Sequence, residues 1–142
     1  MRHHDTGAVS TEMAVLTPLL IGLMLLVVYA GRVAQAESNV ANAAHEAARA
    51  ASLQANPEAA RIAAYETAAA NVNVGAVSCR RLEVTIDPDR TRFVAGGQVA
   101  VSVSCTAGFG DIAMLTVPGS QTFTATAVEV IDRYRADQGA SP

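Results

Sequence analysis

Few residues in this chain have the chemistry to act, and they are unevenly placed. Glu12 lies in "TGAVSTEMAVLTPLL", Thr6 to Leu20, five residues beyond Gly7 and directly before an uncharged apolar run from Met13 to Ala30. A lone carboxylate in hydrocarbon costs several kcal/mol, so Glu12 needs a cationic partner or a favourable place at a helix end. The end of a helix dipole offers about 0.3–1 kcal/mol. His3 and His4 stand in a polar N-terminal stretch, and His45 stands among alanines with no second ligand four residues away, so no metal site is expected. Asp87 and Asp89 flank Pro88 in turn-forming sequence and supply too few oxygens for a calcium loop. No Gly-rich phosphate loop follows a strand, and Gly96-Gly97 reads as a hairpin turn or bulge. The chain is therefore not expected to be an enzyme or to hold a cofactor.

The two cysteines, Cys79 and Cys105, both lie beyond the apolar run. An even count in an exported domain favours a disulfide. Register complicates the pairing. "RRLEVTI" places Leu82, Val84 and Ile86 on one face, and "GGQVAVSVSC" places Val99, Val101, Val103 and Cys105 on one face. Setting Leu82, Val84 and Ile86 against Val103, Val101 and Val99 puts Arg80 opposite Cys105 and turns the thiols to opposite faces. A bulge near Arg80-Arg81 supplies the missing residue and brings them together.

Composition bounds what can surround these residues. The chain has 142 residues, enough for one small domain plus an anchor. It is 51% hydrophobic but only 4% aromatic, with no Trp, which leaves little material for a large core. The net charge is −3, and the basic residues are all Arg and scattered, so nucleic-acid binding is not expected.

The elements follow from pattern. Met13 to Ala30 would span about 27 Å as a helix, close to the hydrocarbon thickness of a bilayer. Pro18 and Gly22, defects in a soluble helix, are tolerated in a membrane helix. With Ala14 they form a stripe of small side chains at four-residue spacing, suited to close helix packing. Beyond the run the sequence is rich in alanine, and Val33, Ala36, Val40, Ala43/Ala44, Ala47 and Ala50/Ala51 make a thin small-residue face. One continuous helix is predicted from about Ala8 to Leu53, within a segment 8–54 whose half from about 13 to 30 spans the membrane. "ANPEAARIAAYETAAANV" restarts a helix, with Asn56 as N-cap, Pro57 at the first position and Glu58 in the first turn. Ile62, Tyr65, Ala69 and Val72 are its expected apolar side, and Gly75 breaks it. The two alternating runs above, and "SQTFTATAVEVIDRY" after Pro118-Gly119, are expected strands. The fold class is α+β: a long membrane-spanning N-terminal helix, a second short helix, and a small antiparallel sheet of about three strands. Residues 55–136 form the small domain, and 137–142 read as a disordered tail.

Two processing schemes compete. In one, residues 1–36 are a secretory signal peptide ending in the A-x-A-like "VAQA" at Val33 to Ala36, with cleavage before Glu37. The apolar run is long for that scheme, Arg32 sits between the run and the proposed cleavage site, and Glu12 has no role. In the other, "GAVSTE" at Gly7 to Glu12 resembles the processing site of type IV prepilins. That resemblance implies removal of a leader, residues 1–7, by a prepilin peptidase, with Ala8 as the new N-terminus and the helix retained. Glu12 then becomes the fifth mature residue, and the resemblance implies that it pairs with the free amine of a neighbouring subunit.

The wider layout resembles the TadE-like proteins, minor pilins or pseudopilins of tight-adherence (Tad, type IVc) pilus systems. The residues carrying this are "GAVSTEMAVLTPLLIGLMLLVVYAGR" at Gly7 to Arg32, then the polar-alanine helix, "GGQVAVSVS" and "SQTFTATAVEVI". The resemblance implies a pilin-like fold, a single-pass place in the cytoplasmic membrane with the C-terminal domain extracytoplasmic, and a part in pilus assembly, adhesion or secretion. It implies as partners the prepilin peptidase, other pilin subunits, the Tad assembly machinery and the membrane. The alternatives are a secreted binding module with a cleaved signal peptide, and a structural anchor that stays in the membrane.

Overall fold

The computed structural model describes residues 6–72, 78–108, 110 and 119–134, with side chains described from Met13 onward. Two helices precede three strands: α1 Thr6–Ser52, α2 Pro57–Val72, β1 Cys79–Ile86, β2 Gln98–Gly108 and β3 Ser120–Val130. The sheet is an antiparallel meander in the order β1-β2-β3. The α+β architecture read from the sequence is the one observed. The expected breaker Gly75 and the expected tail 137–142 lie outside the described residues.

α1 continues unbroken through its Pro18. Proline has no N–H to offer the carbonyl four residues earlier. One residue away, the Thr17 hydroxyl donates to the Met13 carbonyl at 2.7 Å, tying a second carbonyl of the same turn to a side chain. The helix ends where Ser52 Oγ bonds the Arg49 carbonyl at 2.8 Å. α2 starts as its sequence requires: Asn56 Oδ1 accepts from the Ala59 amide at 2.8 Å, and Pro57 occupies the first helical position.

The second half of α1 buries Ala36, Val40, Ala43, Ala44, Ala47, Ala48 and Ala51. α2 packs mainly on α1 and touches the sheet near β1, while α1 covers β2 and β3. α2 buries Ala60, Ala64, Ala68 and Val72, a stripe with a four-residue repeat. This corrects the expected apolar side. Ile62 and Tyr65 are each about half exposed, and Ala69 is only partly buried. The cause is distance. An alanine seam brings two backbones close together, and large side chains are left to the flanks of such a contact.

The sheet supplies the larger core side chains. Val99, Val101, Val103 and Ile131 are fully buried, joined by Cys105, Phe123 and Ala127. Its outer face is polar over most of its length, with Val128 and Val130 exposed at one end. Ser104 and Thr124 share a hydrogen bond at 2.6 Å, Thr106 and Thr122 one at 2.9 Å, and Thr126 donates to Ser102 at 3.1 Å. The β1–β2 register differs from the expected one by two residues: Leu82 faces Cys105, Val84 faces Val103 and Ile86 faces Val101. A slip of two preserves which face each side chain takes, so alternation cannot detect it. The turn decides it. Asp87 Oδ1 accepts from the Asp89 amide at 3.0 Å, Pro88 has no donor to extend the ladder, and Thr91 Oγ1 accepts from the Ala100 amide at 3.1 Å. Gly96 has φ 75°, and a Cβ on Gly97 would collide with the Arg92 carbonyl, so both glycines serve the turn expected of them.

If the alanine seam sets the helix spacing, Ala64→Leu overpacks it and should cost about 1–3 kcal/mol, visible as a lower Tm in neutral detergent. Ile62→Ala, at a half-exposed flank, should change stability by less than about 0.5 kcal/mol.

Candidate membrane anchor and processing site

The site is built on the first half of α1. Every described residue from Met13 to Ala30 is exposed, including Leu20 at 65% and Met24 at 69%. Among the described residues no element covers this half. Among the described residues it belongs to the one helix long and apolar enough to cross a membrane. Tyr29 closes the apolar run, Arg32 follows it, and burial within the fold begins at Ala36. An aromatic residue followed by a cation is a common marker of a membrane–water boundary.

Gly7, Ala8 and Glu12 all lie on the backbone of α1, which begins at Thr6, two residues before the expected start. The Gly7–Ala8 bond thus falls in the first helical turn. The Glu12 side chain and residues 1–5 lie outside the described residues. Ala14, Pro18 and Gly22 are exposed. Pro18 and Gly22 line a shallow groove of about 350 Å³ with Leu19, Leu23 and Leu26, and nothing lies within 4 Å of where a Gly22 Cβ would stand. Ala14 is not part of that lining. A second shallow groove runs along the boundary, lined by Leu26, Tyr29, Ala30, Val33, Ala34 and Glu37.

The other sequence-derived pair meets. Cys79 and Cys105 form a disulfide with Cα atoms 5.4 Å apart. The register shift between Cys79 and Arg81 is the bulge that parity demanded. With Cys79 facing Ala107 and Leu82 facing Cys105, both cysteines reach the helix-covered face of the sheet. Among the described residues no group of three His, Cys, Asp or Glu side chains could hold a metal.

Residues 7–49 match the model of the TadE-like protein family. No curated protein and no solved structure matches the chain. The TadE-like stretch opens at Gly7, contains Glu12 and the whole exposed half of α1, and runs to the last turn of that helix. α2 and the sheet lie beyond it. The sequence reading missed two features: the Tyr29–Arg32 boundary inside this stretch, signalled by an aromatic and a cation at the end of the apolar run, and, well beyond it, the placing of Arg80 as the extra residue of the bulge.

The disulfide spans 26 residues and pins the start of β1, an edge strand, to the central strand. The chain-entropy model gives such a bridge about 3 kcal/mol. Cys79→Ala/Cys105→Ala should lower Tm in calorimetry and speed amide exchange in β1 more than in β2. Maleimide labelling of both thiols without reductant would contradict the bridge.

Proposed function

We propose that this chain is a minor pilin or pseudopilin of a tight-adherence pilus, held in the cytoplasmic membrane by α1 with its α+β domain on the extracytoplasmic side. The observation that carries the reading is that a TadE-like match opens at Gly7 and covers a helix whose apolar half is exposed from Met13 to Ala30. On this reading a prepilin peptidase cuts after Gly7. The product keeps α1 as anchor and presents Ala8 as a free amine, with Glu12 as its fifth residue. Residues 1–7 are the leader and 55–136 the extracytoplasmic domain.

Glu12 supplies the assembly step. Its carboxylate is costly in hydrocarbon while the subunit stands alone. A neighbour's Ala8 amine offsets that cost, so joining other pilin subunits in the assembly machinery is favoured over remaining single. The small-residue positions Ala14, Pro18 and Gly22 allow the neighbouring helix to come close. The domain then supplies specificity for assembly, adhesion or secretion, since it lies beyond the stretch that matches the family.

Glu12→Ala and Glu12→Gln separate this from a local helix-end role. Both variants should reach the membrane at wild-type levels, since losing a charge eases insertion. Both should lose pilus assembly and co-purification with other subunits. A helix-dipole role alone is worth about 0.3–1 kcal/mol and leaves assembly intact. Normal assembly by both variants would leave the anchor in place and remove the assembly contact.

A further inference from the structure

The lipid-facing half of α1 leads almost directly into the folded domain. Exposure is continuous through Gly31 and burial begins at Ala36, an axial distance of about 9 Å from Ala30. The headgroup layer on each side of a bilayer is about 5–8 Å deep. Side chains that the domain presents at this end therefore lie among headgroups.

The topology brings arginines there. α2 follows a short turn after α1 and packs along it, so Val72 returns to the end of the domain near Ala36 and Val40. β1 starts at Cys79, seven residues beyond the end of α2, and runs the opposite way. Its far end, Val84 to Ile86, shares a groove with Arg61, Ile62, Tyr65 and Glu66 of α2. From Ile62 to Val72 is about 15 Å of helix, and from Ile86 back to Arg80 about 20 Å of strand. Arg80 and Arg81 thus stand at the membrane-proximal end. The bulge then puts them side by side. Arg81 faces Thr106, Arg80 is the extra residue, and its guanidinium fills the space beside Gly108 where a Cβ would stand. Thr106 and Gly108 belong to the same, outer face of the sheet. Both arginines are exposed. Arg32 reaches the same level from α1. Among the described residues the acidic group at this end is Glu37, with Glu83 two residues further along β1.

We propose that Arg32, Arg80 and Arg81 bind anionic phospholipid headgroups and seat this end of the sheet on the membrane from which α1 emerges. The proposal rests on α1 being a membrane anchor. Its support is charge complementarity, continuity with the lipid-facing helix, and the bulge that turns two successive arginines to one face. A guanidinium fork matches a phosphate in two parallel hydrogen bonds. Free phosphate shares that chemistry but lacks the acyl chains that hold a headgroup at this level.

The test uses the full chain in neutral detergent micelles, with native mass spectrometry reading bound short-chain phosphatidylglycerol, short-chain phosphatidylcholine and inorganic phosphate. Each arginine near an anionic surface is worth about fivefold in affinity, so R80Q/R81Q should weaken phosphatidylglycerol binding about 25-fold and R32Q about fivefold. R80K/R81K should retain most of it. Phosphatidylcholine binding should be weak and unchanged throughout, and added salt should weaken the wild type toward R80Q/R81Q. Disulfide formation reports folding of each variant; if R80Q/R81Q misfolds, R32Q and R80K/R81K carry the test. Equal binding of both lipids by the wild type, or wild-type phosphatidylglycerol binding by a folded Gln variant, overturns the proposal. Displacement by inorganic phosphate at equal concentration also overturns it, assigning the site to free phosphate. A chain that fails to enter micelles overturns the anchor reading itself, a result distinct from loss of lipid preference.

Discussion

One helix in this protein has to satisfy two solvents. From Met13 to Ala30 the first half of α1 exposes a nearly all-apolar surface that no described element covers, and the second half is a core element of a folded domain. No break separates them. Gly31 to Gln35 remain helical, and the residues on either side belong to the same hydrogen-bonded rod. A helix of this kind transmits position without a hinge. Where the anchor sits and how it turns, the domain follows. In a filament, a shift of one subunit's helix against another would then be a shift of the whole domain.

That continuity constrains the packing. A helix that must pass from lipid into a small core cannot carry bulky residues on its buried face without pushing its partners away. The chain answers with alanine on α1 and α2 and leaves the larger side chains to the sheet. Alanine buries little area per residue, and the chain is poor in aromatics, so the hydrophobic term is small for the domain's size. Cross-linking adds what the core lacks: a disulfide pins edge strand β1 to β2, and paired Ser and Thr hydroxyls tie β2 to β3 across the outer face.

The sequence was informative wherever a local rule had a single outcome. The Asn56-Pro57-Glu58 start, the strand faces and the need for a bulge beside Cys79 all follow from spacing or parity. It misled where two outcomes share one pattern. A two-residue slip of β1 leaves every face unchanged, and only the Asp87-Pro88 turn fixes the register. Ile62 and Tyr65 carry large apolar side chains on α2, yet the seam belongs to its alanines and Val72, because helix approach rather than side-chain size governs that contact. For the site, the spacing of Gly7 and Glu12 is legible in one chain. The group that would answer Glu12 is not, because on the proposed reading it belongs to a neighbouring molecule.

The central claim is that the apolar half of α1 is kept as an anchor in the mature protein. The intact mass of protein purified from the cell envelope tests it most directly. The account predicts a chain of 135 residues beginning at Ala8, the 142 residues less the seven of the leader. A chain beginning at Glu37 would lack the whole run from Met13 to Ala30 and would contradict it.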